Sequence, residues 1–391
     1  MWKIETERAD LFDINMIITM EVKTIGSYTK EKINEAFNKV VKSFEILNTK
    51  IIIDKDGNAF YKENDLHNNT VTFTKNNLEE LINEQEKIRF KLEDGEYLRL
   101  FVNQNTFTFM LHHLGGDGKS LLYFIENFFK AINNEEVEYK KIKLLTKDTM
   151  PKNSSLPLII KLYANNFNKK WKKEKQIFTF EDLDKSFNLF WKNHKTKIEI
   201  ETPKIDEILK ECKKNNIGYT SYDIAQRLKE TNTIQDVGLA VDARLDKNRT
   251  MSNQATGISI KYKYDKNKSL IDNAKIINKL IRKKLNNIKF KYFILNFMSL
   301  FDPTLIDAVN LNYTGYFKSK TSSILASILG YGNKTKDLSI TNLTKADIKT
   351  EYGEYKIEEI TFVPPVVSYG KNIVGLITTN DKLISTRHYY S

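Results

Sequence analysis

The sequence predicts an α/β protein built from two lobes of similar construction. Three observations carry this. Strand-like and helix-like segments alternate along both halves instead of clustering by type. The chain has 391 residues, enough for two lobes that each bury a core. Between the halves, Lys140 to Lys175 departs in composition, with eleven lysines against Asp148 and Glu174 and with Pro151 and Pro157 in the middle. The expected division is therefore an N-terminal lobe over 1–150, a basic connection containing a helix over 151–195, and a C-terminal lobe over 196–391.

Ile14 to Val22, rich in β-branched residues, reads as a buried strand. Thr29 to Ser43 then places Ile33, Ala36, Phe37, Val40 and Val41 on one helical face, with Thr29 as N-cap. Ile46 to Ile53 is strand-like, and Asp56-Gly57-Asn58 turns the chain into a partner strand from Ala59. A helix is expected over Asn77 to Phe90, then a hairpin of Glu96 to Asn103 and Thr106 to Leu111, then a helix from Ser120 to Ile132. The connection carries a helix around Leu158 to Lys173. In the second half, strands are expected at Lys195 to Glu201, Asp236 to Arg244 and Gly257 to Tyr264, and helices at Ile205 to Asn215 and Ser221 to Leu228. Long helical segments run from Ser269 to Lys289 and from Tyr292 to Phe301. Leu338 to Asn342, Glu354 to Phe362, Ile373 to Thr379 and Leu383 to Thr386 close the chain as strands.

Apolar residues at 40% and charged residues at 29% read as globular. Cys212 is the one cysteine, so no internal disulfide or cysteine cluster can form. The amino terminus has no apolar h-region, and no run of about 18 apolar residues occurs, so a cytoplasmic protein with no membrane span is expected. The formal charge of +12 suits nucleic acid, anionic lipid, or an acidic protein or phosphorylated cofactor, and equally a solvated lysine-rich surface. Trp171 among lysines occurs in nucleic-acid binders, but an amphipathic helix anchored by one aromatic outweighs that reading, and no nucleic-acid partner is expected.

The chemistry centres on His112-His113-Leu114-Gly115-Gly116-Asp117-Gly118, at a junction of strand and helix. A neutral imidazole titrates near physiological pH, so it can take a proton from an alcohol or amine and return it. The glycines let the backbone turn tightly beside a substrate. No Gly-x-Ser-x-Gly elbow is present, and Cys212 lies in a helix-like stretch, so no nucleophile is persuasive. His67 and His194 sit in polar stretches and are expected to be exposed, and His388 is not expected to be essential. A metal held by His112, His113 and Asp117 lacks a second ligand cluster, and none is expected.

His112-His113-x-x-x-Asp117-Gly118 resembles the His-His-x-x-x-Asp-Gly signature of the chloramphenicol-acetyltransferase-like superfamily. That group includes nonribosomal-peptide condensation domains, alcohol O-acetyltransferases and polyketide-associated acyltransferases. Weaker similarities lie in Phe90 to Arg99, in Val241-Asp242-Ala243-Arg244 with Asn253, and in Leu338 to Leu343. The chain has no Asp-Phe-Gly-Trp-Gly motif, unlike the plant-type branch. The resemblance implies two similar lobes in a V with a tunnel between them, His113 as catalytic base, and His112 as a supporting residue. It also implies a structural Asp117 paired with an arginine, for which Arg244 is the candidate, and Gly118 as a source of a backbone N–H for the oxyanion. The implied reaction moves an acyl group from acyl-CoA or a carrier protein's acyl-phosphopantetheine to a hydroxyl or amine of a small-molecule acceptor. No bound cofactor and no covalent enzyme intermediate are implied. The alternatives are a free-standing condensation-type enzyme forming an amide in peptide natural-product synthesis, and a non-catalytic relative that binds a carrier protein or metabolite.

Overall fold

The computed structural model describes residues 1–332 and 335–391. In chain order the strands are β1 Trp2–Lys3, β2 Ile17–Ile25, β3 Thr49–Ile53, β4 Ala59–Glu63, β5 Thr70–Phe73, β6 Leu98–Asn103, β7 Thr106–His112, β8 Thr196–Glu201, β9 Gln235–Asp242, β10 Ala255–Tyr262, β11 Leu338–Lys345, β12 Glu351–Tyr352, β13 Tyr355–Val363, β14 Asn372–Thr379 and β15 Lys382–Tyr390. The helices are α1 Lys30–Ser43, α2 Leu78–Gln85, α3 Gly118–Ile132, α4 Leu158–Trp171, α5 Phe180–Trp191, α6 Asp206–Lys214, α7 Tyr219–Leu228, α8 Leu270–Leu285, α9 Ile288–Lys291, α10 Phe293–Met298, α11 Pro303–Thr314 and α12 Lys320–Leu329.

Two six-stranded sheets organise the chain, one in the order β12-β13-β2-β7-β6-β5 and one in the order β10-β9-β11-β14-β15-β8. The lobes share a local pattern: an antiparallel hairpin, β6–β7 or β9–β10, runs into a long helix, α3 or α8. α3 packs beside α1 on the first sheet, and α8 beside α7 on the second. The apolar faces explain this. Phe107, Phe109, Phe124 and Phe128 interlock edge-to-face between β7 and α3. Ile224, Ile277, Leu239 and Leu376 fill the corresponding space in the second lobe.

The expected division at residues 195 and 196 is crossed. β13 leaves the second half and pairs antiparallel with β2, with Phe362 opposite Met20, so that it shields what would otherwise be an edge of the first sheet. The basic connection is not a detached linker either. Trp171 of α4 is fully buried, and its indole N–H donates to Thr304 Oγ at 2.8 Å, within the core that also takes Leu305 and Val309 of α11.

Three other departures have local causes. β2 begins at Ile17 because Asp13 to Met16 form a buried turn in which Asp13 accepts from the Ile14 N–H and from Ser368. Its apolar letters report burial, not a ladder. α2 stops at Gln85, where the Lys87 and Ile88 N–H groups turn to the Glu84 and Gln85 carbonyls, and the Ile88 and Arg89 carbonyls beyond accept from the Arg99 guanidinium. Ile46 and Leu47 coil into a short turn before β3, where Asn48 caps the end of α1 by donating to the Val41 and Phe44 carbonyls.

Candidate active site

His112 ends β7, and its N–H donates to the Tyr97 carbonyl at 2.9 Å. The next N–H, of His113, instead donates to the Met16 carbonyl just ahead of β2, at 2.8 Å, so the chain turns out of the sheet there. Gly116 carries φ of +152° and ψ of 172°, a region open in practice only to glycine, and a Cβ there would stand 2.5 Å from that of Ser120. Asp117 then caps α3 by accepting from the Ser120 N–H at 3.0 Å.

The two imidazoles have different surroundings. His112 is buried beside Phe90, and its Nδ1 accepts from the Leu114 N–H at 3.2 Å, which leaves the ring proton on Nε2. Burial, then the neighbouring His113, Arg89 and Arg99, push its pKa down to about 3. This ring is a neutral brace. His113 keeps 15% of its side-chain surface open, and its Nδ1 is enclosed, 3.8 Å from Asp10 Oδ2 and without a hydrogen bond. The open surface therefore lies on the rest of the ring. Burial holds the pKa of His113 below that of free imidazole, so the neutral form prevails at pH 7.

That open surface contributes to the lining of a cavity of about 680 Å³ to which both lobes contribute. Asp10, His113 and Gly118 line it from the first lobe, and Asp242, Thr256 and Asn342 from the second. Gly118 sits at the first turn of α3, and a Cβ there would meet the Leu343 side chain at 2.9 Å.

Asp117 and Arg244 form a buried ion pair between the lobes, with Nη2 donating to Oδ1 at 2.8 Å. The same guanidinium donates to Asp242 at 3.1 Å, and Lys119 donates to Asp242 at 2.8 Å. The other oxygen of Asp117 accepts from the Gln254 N–H at 3.0 Å. Burial disfavours the Asp117 carboxylate, yet Arg244 and the hydrogen bonds outweigh it and hold the carboxyl below its usual range.

Three acids that sequence reasoning did not single out lie beside this site, in the turn before β2. Burial raises all three: Glu7 to about 8, Asp10 to about 7 and Asp13 to about 6. Glu7 accepts from the Tyr61 hydroxyl at 2.7 Å, and Asp10 accepts from Asn253 of the other lobe at 2.7 Å. The one signal in the sequence is the mixing of acids with Leu11 and Phe12, which marks them as candidates for burial. Of the remaining histidines, the two expected to be exposed depart from expectation. His67 and His194 are half-buried, and His194 stacks on Phe190 with ring centroids 3.9 Å apart. His388 is fully buried, with Nδ1 on the Pro364 carbonyl at 2.7 Å and Nε2 3.1 Å from Glu86, so it joins the two halves of the chain.

No family model and no curated protein sequence matches the chain. Solved structures do. Trichothecene 15-O-acetyltransferase TRI3 from Fusarium sporotrichioides superposes with a TM-score of 0.63 at 13% identity, over 99% of this chain and 89% of that one. Polyketide synthase associated protein 5 from Mycobacterium tuberculosis gives a TM-score of 0.60 at 12% identity, over 98% and 92%. The first condensation domain of the CDA synthetase gives 0.59 at 10% identity, over 98% and 87%. The chain has the α/β fold of these condensation-domain and acetyltransferase structures. The similarity takes in 98–99% of this chain and 87–89% of the condensation-domain and O-acetyltransferase structures.

Proposed function

We propose that the protein is an acyltransferase that moves an acyl group from a thioester to a hydroxyl or amine, with His113 as general base. The observation that carries this is the placement of His113: one ring nitrogen enclosed, the rest of the ring open to a cavity between the lobes. In the proposed reaction the neutral imidazole takes the proton of the acceptor O–H or N–H as that atom bonds to the thioester carbonyl carbon. Negative charge develops on the carbonyl oxygen, and the Gly118 N–H at the start of α3 is the donor we assign to it. The carbon–sulfur bond then breaks, and the thiolate leaves with the proton from His113. No bond to the enzyme forms.

The donor is acyl-CoA or an acyl group on a carrier protein's phosphopantetheine, consistent with the basic balance of the chain. Asp117 and Arg244 are assigned a positioning role, since they hold the turn that carries His113 against the second lobe.

The test is to incubate the purified protein with a panel of acyl-CoA donors and acyl-carrier proteins, with and without candidate alcohols and amines. Thiol release and the mass of the acceptor are followed together. His113→Ala should slow transfer by about 10²–10⁴-fold with an unchanged melting curve. Near-normal turnover by this variant would reject the base assignment. Tight binding of a donor with no transfer to any acceptor would favour the non-catalytic alternative.

A further inference from the structure

α4 presents an unusual outer face. Leu158, Ile159, Leu162 and Tyr163, all within its first two turns, are between 45% and 75% exposed. The same helix is well anchored beneath, by Ala164, Phe167 and Trp171, so the exposed side chains are not the residue of a poorly packed helix. Four adjacent large apolar side chains on a convex surface are more than the scattered exposure that any soluble protein shows.

Neighbouring elements extend the face. α12 packs along α4, starting where Thr321 donates to Glu174, and it exposes Ile324 and Ile328. The residues that follow, Leu329 to Tyr331, line the cavity that holds His113. At the other end of α4, Ser154 accepts from Asn296 of α10, whose exposed Phe293 also lines the cavity. The apolar face is thus tied at both sides to elements of the channel wall.

Its charge is one-sided. From Thr149 to Lys173 there is no acidic residue, and Lys152, Lys161, Lys169, Lys170, Lys172 and Lys173 are exposed. A second copy of the chain would bring these lysines against one another. An acidic protein would pair with them but would also need a matching apolar surface. A bilayer with anionic headgroups supplies both, an acyl interior for the aliphatic side chains and phosphates for the ammonium groups.

We infer that α4, with the exposed side of α12, docks the protein peripherally on an anionic lipid bilayer, with Leu158, Ile159 and Leu162 entering the acyl boundary. The channel then opens beside the membrane surface, where long-chain acyl donors or lipid-like acceptors partition.

The experiment is co-sedimentation of the full chain with vesicles of phosphatidylcholine alone and of phosphatidylcholine mixed with phosphatidylglycerol. The wild type should sediment with the mixed vesicles and lose much of that binding as salt rises. The triple variant Leu158→Gln, Ile159→Gln, Leu162→Gln should bind at least about tenfold more weakly, because these side chains contribute by burial of apolar area. A second measurement needs no loss of binding: a fluorophore on a Leu162→Cys variant should shift to the blue with mixed vesicles, while one on a Lys283→Cys variant should not. Three results would overturn the inference: no sedimentation with either vesicle, equal binding by the triple variant, or capture of the face by an isolated acyl-carrier protein with no vesicle binding. Neither measurement uses acyl transfer, so failure here is distinct from failure of the reaction assigned above.

Discussion

Removing the Asp117 carboxylate tests how the two lobes hold the turn that carries His113. Asp117→Ala deletes an N-cap on α3 and strands Arg244, whose side chain is only 5% exposed. Loss of a cap costs about 1 kcal/mol, and an unpaired buried charge costs about 3–5 kcal/mol. The lower end applies, because Arg244 keeps Asp242 on its other nitrogen at 3.1 Å. A total near 4 kcal/mol follows. With an unfolding entropy of about 2.1 cal/mol/K per residue, a chain of 391 residues unfolding as one loses about 5 °C of Tm for that amount. Arg244→Ala should cost less, since Asp117 retains the N–H groups of Ser120 and Gln254. The double variant should fall short of the sum of the two losses by about 1–3 kcal/mol, because the second change removes the charge that the first one strands. The assay is calorimetric melting of all four proteins, with transfer activity measured in parallel. Strictly additive losses, or an Asp117→Ala melting curve within a degree of wild type, would refute the claim that this pair clamps the lobes.

The acids beside the site give two further expectations. Asp10 lies 3.8 Å from the His113 ring, and burial raises its pKa to about 7. The His113 ring proton resonance should therefore show an inflection near that pH, absent in Asp10→Asn; identical NMR titrations would remove Asp10 from the site's electrostatics. The buried Glu86–His388 pair sets a pH window for stability. Burial opposes both charges, but each partner's charge and the hydrogen bonds prevail, so Glu86 falls below its ordinary 4.5 and His388 rises above its ordinary 6.5. The His388 contribution is full below 6.5 and is lost as pH rises through its raised value, while that of Glu86 is full above 4.5 and is lost as pH falls through its lowered value. The stability difference between wild type and His388→Gln should thus be largest between pH 4.5 and 6.5 and shrink on the alkaline side; a difference that grew with pH would contradict the pairing.

The parts of the structure that follow from neighbouring residues were legible. The hairpin of β6 and β7, the turn at Asp56-Gly57-Asn58 and the junction before α3 each rest on local periodicity and turn chemistry. The same holds for the place of His113, since a histidine one step past the end of a strand, in a glycine-rich turn, has little freedom over where it sits. α5 also had its signal, a capping box of Thr179 and Asp182, but it stands in a stretch whose lysines and prolines suggest a linker. α11 had Asp302 and Pro303 at its start and Gly315 at its end, yet it is buried nearly all round, with Asp307 paired to Arg8 and Asn310 donating to the Ala9 carbonyl. A helix without a polar face shows no amphipathic period, so periodicity cannot reveal it.

What stayed hidden shares one cause: a residue's state was set by a partner far along the chain. His388 looked dispensable because nothing near it in sequence engages it, and Glu86 lies on another element altogether. Glu7, Asp10 and Asp13 are engaged by Tyr61, Asn253 and Ser368, each far from its partner in sequence. Glu7 and Asp10 line the cavity, and Asp10 Oδ2 stands 3.8 Å from His113 Nδ1, with burial raising the carboxyl and lowering the imidazole. In the proposed reaction a neutral His113 is the form that can accept the acceptor's proton, and the lowered imidazole is the form present at pH 7. The histidine motif points to the proposed base; the buried acids beside it come from contacts that no local pattern encodes.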